Sequence, residues 1–551
     1  MQNAIEQIRK CLAAGQIDNC KALFDQAFQQ GATPELIHLY ALWHRDQGQG
    51  KTALDLLRKL LHKEKRLPHF VWNDLGALYG EHQQEKLAEQ CFRQALAQAP
   101  DNLQYALHYG KSLLRQERLE EALNIFIKIH HKQPDLAQAA QALNTTLNTL
   151  YERARVLKNE QNAEKYLRIY LRYNPEDAVA IYNLGNVYNR QELHSQAEKY
   201  YAQALEKNPE LKEAWINLTL SHYEQRHYDA ARQSAKQAVA VAPDSSRAHI
   251  GYGDALLMCE DYENGFEEIE WRFDEINYQS FRYPVTPWEG QDLNGKHILV
   301  LSEQGMGDII MFSRFIPTLQ EKYPEAHISF FSRPELKSLY AYWPFKFYDD
   351  ESQLGTLDYA VALMSLLRLL NIRPHTLPPP DYLAHRYPCS PFSEELLAVD
   401  TPRIGLVWES GEGFTQHKRS IPWDRFKRIV KAYPEYTFYG LQKGASETEP
   451  LADNLPNYVS LFEHLTDFAE TAAVCQRLDL IISVDTSVSN LAGALNCPVW
   501  VLLPFAPDWR WGPEKSTTPW YPSARLFRQH AYKQWEPVID DVISALSTFN
   551  K

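Results

Sequence analysis

The apolar run Ile481-Ile-Ser-Val484 leads into Asp485, Thr486 and Ser487, and then into a helical pattern that carries Ser489, Asn490 and Gly493. A buried strand that delivers hydroxyl residues to a helix start sets backbone N–H groups and the helix dipole where a phosphate binds. The same three residues also make an N-cap cluster. Gln416, His417, Lys418, Arg419 and Ser420 follow a glycine-containing loop, 409–413, behind another apolar run. Cations at that point neutralise a diphosphate, or they lie on a solvated loop, the commoner fate of a basic run. Gln442 and Lys443 stand at a strand end, where a nucleotide can be reached.

A third segment, Gly305-Met-Gly307-Asp308, follows the apolar run 297–301. It lacks the third glycine of a dinucleotide fingerprint, and no Gly-Lys-Ser/Thr phosphate loop occurs, so redox and kinase chemistry are disfavoured. Asp308 is either a general base or a helix cap. No Asp-x-Asp occurs, and no Cys/His cluster has ligand spacing, so the chemistry expected is metal-independent. The aromatics Trp509, Trp511, Trp520 and Tyr521 are expected to be core packing rather than a stacking platform.

These segments belong to strand–turn–helix alternation. Strands are expected at 297–301, 327–331, 358–363, 403–408, 436–441 and 478–484, with helices at 309–323, 423–432, 467–476 and from Val538. Such alternation predicts two parallel sheets covered by helices, with ligands beyond the carboxyl ends of the strands. The segments 297–385 and 400–551 are the two lobes, and a Pro/Gly-rich stretch, 277–296, is the linker before them.

Residues 1–276 read as a tetratricopeptide superhelix of about eight helical hairpins. Pro100 and Pro134 are 34 residues apart, and Pro175, Pro209 and Pro243 repeat the interval, which is the tetratricopeptide period. Trp72, Leu75, Gly76, Tyr79, Ala88, Phe92, Ala95 and Pro100 recur in phase as Ile181, Leu184, Gly185, Tyr188, Ala197, Tyr201, Ala204 and Pro209. The 41-residue interval from Pro134 to Pro175 predicts a lengthened helix over 135–143 and a local shift of the superhelix. Solenoids of this kind bind peptides or proteins on a long concave face. Asn183, Asn186, Asn189 and Asn217 are placed to grip an extended backbone there, unless they simply belong to the repeat.

Composition narrows the partners. The chain has 551 residues, 44% of them hydrophobic and 23% charged, with a formal net charge of -13. That acidity disfavours a nucleic-acid partner. Apolar runs are much shorter than the roughly 20 residues of a membrane span, and the first residues lack a signal-peptide pattern. The seven scattered cysteines suit reduced thiols in the cytoplasm.

The segments 302–308, Gly405-Leu-Val-Trp408, Lys418-Arg-Ser-Ile-Pro422, Leu441-Gln-Lys-Gly444, Val484-Asp-Thr486, Leu491-Ala-Gly-Ala494 and 503–511 together carry a resemblance. The chain resembles bacterial tetratricopeptide-repeat glycosyltransferases with a heptosyltransferase-like catalytic domain of GT-B fold, two Rossmann-like lobes. The resemblance implies inverting transfer from a nucleotide-sugar, with no other cofactor and with CMP or UDP as the guessed carrier. It makes Asp308 the base, and Glu303, Gln304, Gly305 and Gly307 the acceptor-side loop. Lys418, Arg419 and Ser420 then meet the phosphates, Gln442 and Lys443 the nucleotide, and Asp485, Thr486, Ser487 and Asn490 the donor. Relatives commonly carry His where this chain has Asn490. In layout the chain is also similar to O-linked N-acetylglucosamine transferase and to flagellin-modifying transferases, which implies transfer to Ser or Thr of a protein recruited by the array, flagellin being one client and pseudaminic acid one sugar. The alternatives are a transferase for surface or lipid-linked saccharides, and a non-catalytic scaffold with a degenerate sugar-nucleotide domain.

Overall fold

The computed structural model describes residues 2–14, 17–64, 66–274, 285–383, 385–411, 416–443 and 448–549. Much of the expected linker, and the ends of the 409–413 and 441–444 motifs, lie outside the described residues. The chain forms two compact units, Met1–Gln191 and Glu192–Lys551. Contacts thus divide the chain within the helical array, whereas secondary-structure type changes after it.

Among its described residues unit 1 has helices and no strand, from Gln2–Ala13 to Ala178–Arg190. Its repeats pack because small residues sit under aromatic ones. A Cβ at Gly76 would meet the Phe92 ring at 2.7 Å, and one at Gly110 would meet Phe126. The long interval between Pro134 and Pro175 is taken up by a 20-residue helix, Ala137–Val156, where its neighbours have 13 or 14 residues. The lengthening begins where the prolines predict it.

One backbone feature repeats with the sequence. Gln83, Glu117, Lys158, Glu192, Arg226 and Glu260 all have φ between 53° and 63°, at spacings of 34 except for 41 between Glu117 and Lys158. Each ends the first helix of a hairpin. The residue that follows donates its N–H to the carbonyl five residues back, as in Gln84 to Tyr79 at 2.9 Å and Arg118 to Leu113 at 3.0 Å. That closure satisfies carbonyls a helix end leaves open and offsets the strain of a left-handed residue bearing a side chain.

Unit 2 starts with the helices His194–Lys207, Lys212–Glu224, Tyr228–Val241, Ser246–Met258 and Tyr262–Glu268, and then carries two sheets. The strands are β1 (Thr286–Pro287), β2 (His297–Leu301), β3 (His327–Phe331), β4 (Lys346–Tyr348), β5 (Tyr359–Ala362), β6 (Arg403–Val407), β7 (Thr437–Gly440), β8 (Tyr458–Ser460), β9 (Leu480–Val484), β10 (Val499–Leu503) and β11 (Ala524–Arg528). The N-lobe sheet has the order β1-β5-β2-β3-β4 and the C-lobe sheet β11-β10-β9-β6-β7-β8. Every pairing is parallel. The chain reverses its direction of travel across each sheet, between β2 and β5 and between β6 and β9. These are the points where doubly wound sheets open a crevice for ligand.

The expected helix 309–323 is two helices, Met306–Ser313 and Phe315–Lys322, because Arg314 turns inward. Its guanidinium is buried, donating to the Trp520 carbonyl at 2.7 Å and to that of Pro378. The aromatic segment near the C-terminus is core, as expected: Trp509, Trp511, Trp520 and Tyr521 are buried, with Trp509 and Trp520 packed on Phe312. No described helix is long and apolar enough to cross a membrane.

Candidate functional site

The two switch points face one cleft. The loop after β2 supplies Gln304, Gly305, Gly307 and Asp308; the ends of β6 and β7 supply Glu409, Ser410, Gln442 and Lys443; the end of β9 supplies Asp485, Thr486, Ser487 and Asn490. The cavity they enclose has a volume of about 920 Å³, within the size range of small-molecule sites. Most of the residues singled out by sequence therefore meet in one place, although the chain brings them from separate strands.

The helix Ser487–Ala494 begins at this cleft, with Thr486 at its cap and the Thr486 N–H bonded to Ser489 Oγ at 3.1 Å. Its first turn adds backbone donors and the positive end of a dipole. Asn490 is tied on both sides of its amide: Nδ2 donates to the Thr486 carbonyl at 2.9 Å, and Oδ1 accepts from the Tyr521 hydroxyl at 3.1 Å. Gln442 accepts the Glu409 N–H at 3.0 Å and so joins β7 to the loop after β6. Lys443 is exposed at the rim.

Three carboxylates and two guanidinium groups dominate the field. Asp308 accepts the Gly305 N–H at 3.1 Å and pairs with Arg510 at 2.8 Å, while Arg510 also holds Asp508 at 2.6 Å. Arg419 lies 3.6 Å from Asp485 and donates to the Asp485 carbonyl at 3.3 Å. Burial pushes the Asp485 carboxyl up to about 6, against the pull of Arg419 and with help from Asp508 and Asp308. For Arg510 burial opposes the charge, but Asp508, Asp308 and Asp485 outweigh it and hold the guanidinium firmly protonated. Diphosphate oxygens entering here would compete with Asp308, Asp508 and Asp485 for the two guanidinium groups, and protonation of Asp485, raised to about 6, would ease that competition. Among the described residues no group of His, Cys, Asp and Glu is arranged to hold a metal ion.

Three predicted residues stand elsewhere. Glu303 is inside the fold, bound by Arg272 at 2.8 and 3.0 Å and by the Met364 N–H at 2.7 Å, so it joins the end of the helical array to the N-lobe rather than facing a ligand. Lys418 pairs with Glu224 at 2.6 Å and lines a second cavity. Ser420 Oγ accepts the Ser410 N–H at 3.1 Å and shapes the turn. Of the array residues, Asn217 lines the second cavity, and Asn183, Asn186 and Asn189 are partly exposed on the helix Ala178–Arg190 of unit 1. Arg510 and Asp508 were not singled out as ligand groups by sequence, because their segment reads as aromatic core; the one charged pair inside that apolar run was the available signal.

Residues 73–130, 161–212 and 216–268 match the tetratricopeptide repeat family. The chain is 26% identical over 526 residues to Protein FlbA of Caulobacter vibrioides, an alignment that covers 90% of this chain and 86% of that protein. FlbA is thus a distant relative across both the array and the α/β lobes. A stretch of 79 residues is 38% identical to hemophilin secretion modulator of Acinetobacter baumannii, covering 14% of this chain and 16% of that one. Among solved structures, Naa15/Naa10 bound to HypK-THB aligns with 50% of this chain and 42% of its own, at 14% identity and a TM-score of 0.38. Together with the two sheets, the matched repeats establish a tetratricopeptide solenoid followed by two parallel-sheet α/β lobes, an arrangement consistent with a GT-B fold.

Proposed function

We propose that this chain is a glycosyltransferase that moves a sugar from a nucleotide-sugar to a hydroxyl of a protein held by the tetratricopeptide array. The observation that carries the reading is the cleft itself: two doubly wound sheets whose switch points converge on Arg419, Lys443, Arg510 and the N-terminus of the helix Ser487–Ala494. The nucleotide lies on the C-lobe beyond β6 and β9, its phosphates against the two arginines and the helix N–H groups. These donors stabilise the charge that develops on the leaving group. Flagellin is the first acceptor to try, on the resemblance to flagellin-modifying transferases.

The test has two parts. Purified protein is screened by thermal shift against UDP, GDP, ADP, CMP and their sugar conjugates, since a ligand of the native state raises its melting temperature. One nucleotide class should stabilise the wild type and fail to stabilise Arg419→Ala. The matching nucleotide-sugar is then incubated with flagellin, and intact mass is read for an added sugar. A wild-type protein that answers to no nucleotide refutes the reading; one that binds nucleotide and adds no mass points to the scaffold alternative.

A further inference from the structure

A second cavity, of about 630 Å³, lies in unit 2 between the helices Lys212–Glu224 and Ser246–Met258 on one wall and the segment 504–509 on the other. Among the described residues Arg419, Asp485 and Asp508 line both this cavity and the nucleotide cleft, so their side chains mark the seam between the two. The walls are largely apolar, with Ile216, Leu220, Ile250 and Trp509 among them. Asp254 projects into this space from the helix Ser246–Met258.

Asp254 differs from every other carboxylate around the seam. Glu224 is paired with Lys418, Asp508 and Asp308 with Arg510, and Asp485 with Arg419. Asp254 makes neither a hydrogen bond nor an ion pair among the described residues. The repeat does not call for an acid there: the positions 34 and 68 residues earlier are Leu220 and Asn186. Burial, and then the neighbouring Asp508, push its carboxyl up to about 7, while Arg510 pulls the other way. A carboxylate with that affinity for protons, facing open space beside a donor site, suits proton abstraction near neutral pH.

We propose that Asp254 is the base of the transfer reaction, and that the acceptor's Ser or Thr reaches the donor through this cavity. The inference rests on the transferase reading above. The Asp254 carboxylate takes the hydroxyl proton as the hydroxyl oxygen bonds to the anomeric carbon. The bond from that carbon to the donor's phosphate oxygen breaks, and its electron pair leaves with the nucleotide. The array then supplies a reacting group as well as a docking face, and Asp308, engaged by Arg510 and the Gly305 N–H, orders the cleft.

The experiment follows flagellin mass with the nucleotide-sugar that gives the thermal shift, using wild type, Asp254→Asn, Asp254→Glu, Asp308→Asn and Ile250→Trp. Loss of a base slows transfer by about 10² to 10⁴-fold. That loss is expected in Asp254→Asn with the nucleotide shift intact, and Asp254→Glu should recover part of it. Ile250→Trp, which fills the cavity, should also block transfer while nucleotide still binds. In wild type kcat/KM should fall below pH about 7; the charged or titratable groups facing Asp254 are Asp508, Arg510, Tyr223, Glu224, Lys418, Arg247, Arg419 and Asp485, and Asp485, raised to about 6, is the one whose limb Asp254→Asn should leave in place. Asp308→Asn should keep the limb at about 7. Transfer by Asp254→Asn within about threefold of wild type, or the same limb at about 7 in its profile, overturns the proposal, as does undiminished transfer by Ile250→Trp. A wild type that adds mass to no protein refutes the transferase reading itself, and the role of Asp254 with it.

Discussion

Replacing Asp254 by Asn should stabilise the protein, and increasingly so as pH rises. Its carboxyl moves from 3.8 to about 7 on folding, so between those values the folded state holds a proton that the unfolded chain releases. Stability in wild type therefore falls as pH climbs through that window and levels off above it. With a folded value near 7, the penalty is about 2 kcal/mol at pH 5 and about 4 kcal/mol at pH 8. Asp254 is partly exposed, so solvent screening makes these figures upper bounds. Unit 2 runs from Glu192 to Lys551, and at roughly 2.1 cal/mol/K of unfolding entropy per residue its melting temperature moves by about 1.3 °C per kcal/mol. Asp254→Asn should then melt about 3 °C above wild type at pH 5 and about 5 °C above it at pH 8. Differential scanning fluorimetry at the two pH values, without nucleotide, decides the matter. An advantage that is absent at pH 8, or that shrinks with rising pH, would show that Asp254 is not desolvated and would remove the physical basis for its basicity. Gain of stability on removing a functional group is the usual sign of a site held at the fold's expense.

Two further outcomes follow from buried contacts. Arg272→Met leaves the Glu303 carboxylate, only 1% exposed, without its cation; it should destabilise unit 2 by about 3–5 kcal/mol in urea unfolding, and a loss under 1 kcal/mol would mean that the pair is already hydrated. Gly493→Ala puts a methyl group into the Tyr521 ring, which is bonded to Asn490. Overpacking of this kind costs about 1–3 kcal/mol, and the displaced Asn490 should weaken the nucleotide-induced thermal shift; an unchanged shift would place the nucleotide away from this helix.

The legible parts of the fold are those where local chemistry repeats. Prolines at 34-residue spacing, with Gly76 beneath Phe92 and Gly110 beneath Phe126, mark the hairpins because helices approach closely only where one side chain is missing. Most central strands were legible because burial on both faces demands apolar runs such as 298–301; the central strand β10 was not expected as a strand, although its five residues are all apolar and buried. The short edge strands β4 and β8, of three residues each, were not legible, since three residues carry no periodicity. Strand β11 was missed as well: its five residues include Arg525 and Arg528, so no continuous apolar run marks it. The break at Arg314 was hidden because only its distant partners, the carbonyls of Trp520 and Pro378, make an inward arginine tolerable.

The candidate site divides the same way. By itself the sequence determined that Asp308, Gln442, Asp485 and Thr486 stand at strand ends or helix starts, because turn chemistry and backbone donors are local properties. Tertiary structure alone decided that Lys418 pairs with Glu224 and leaves the cleft to Arg419, that Arg510 gathers Asp308 and Asp508, and that Asp254, on a repeat helix, faces the seam between two cavities. Pairing and desolvation depend on which segments, hundreds of residues apart, are packed together, and no spacing along the chain encodes that.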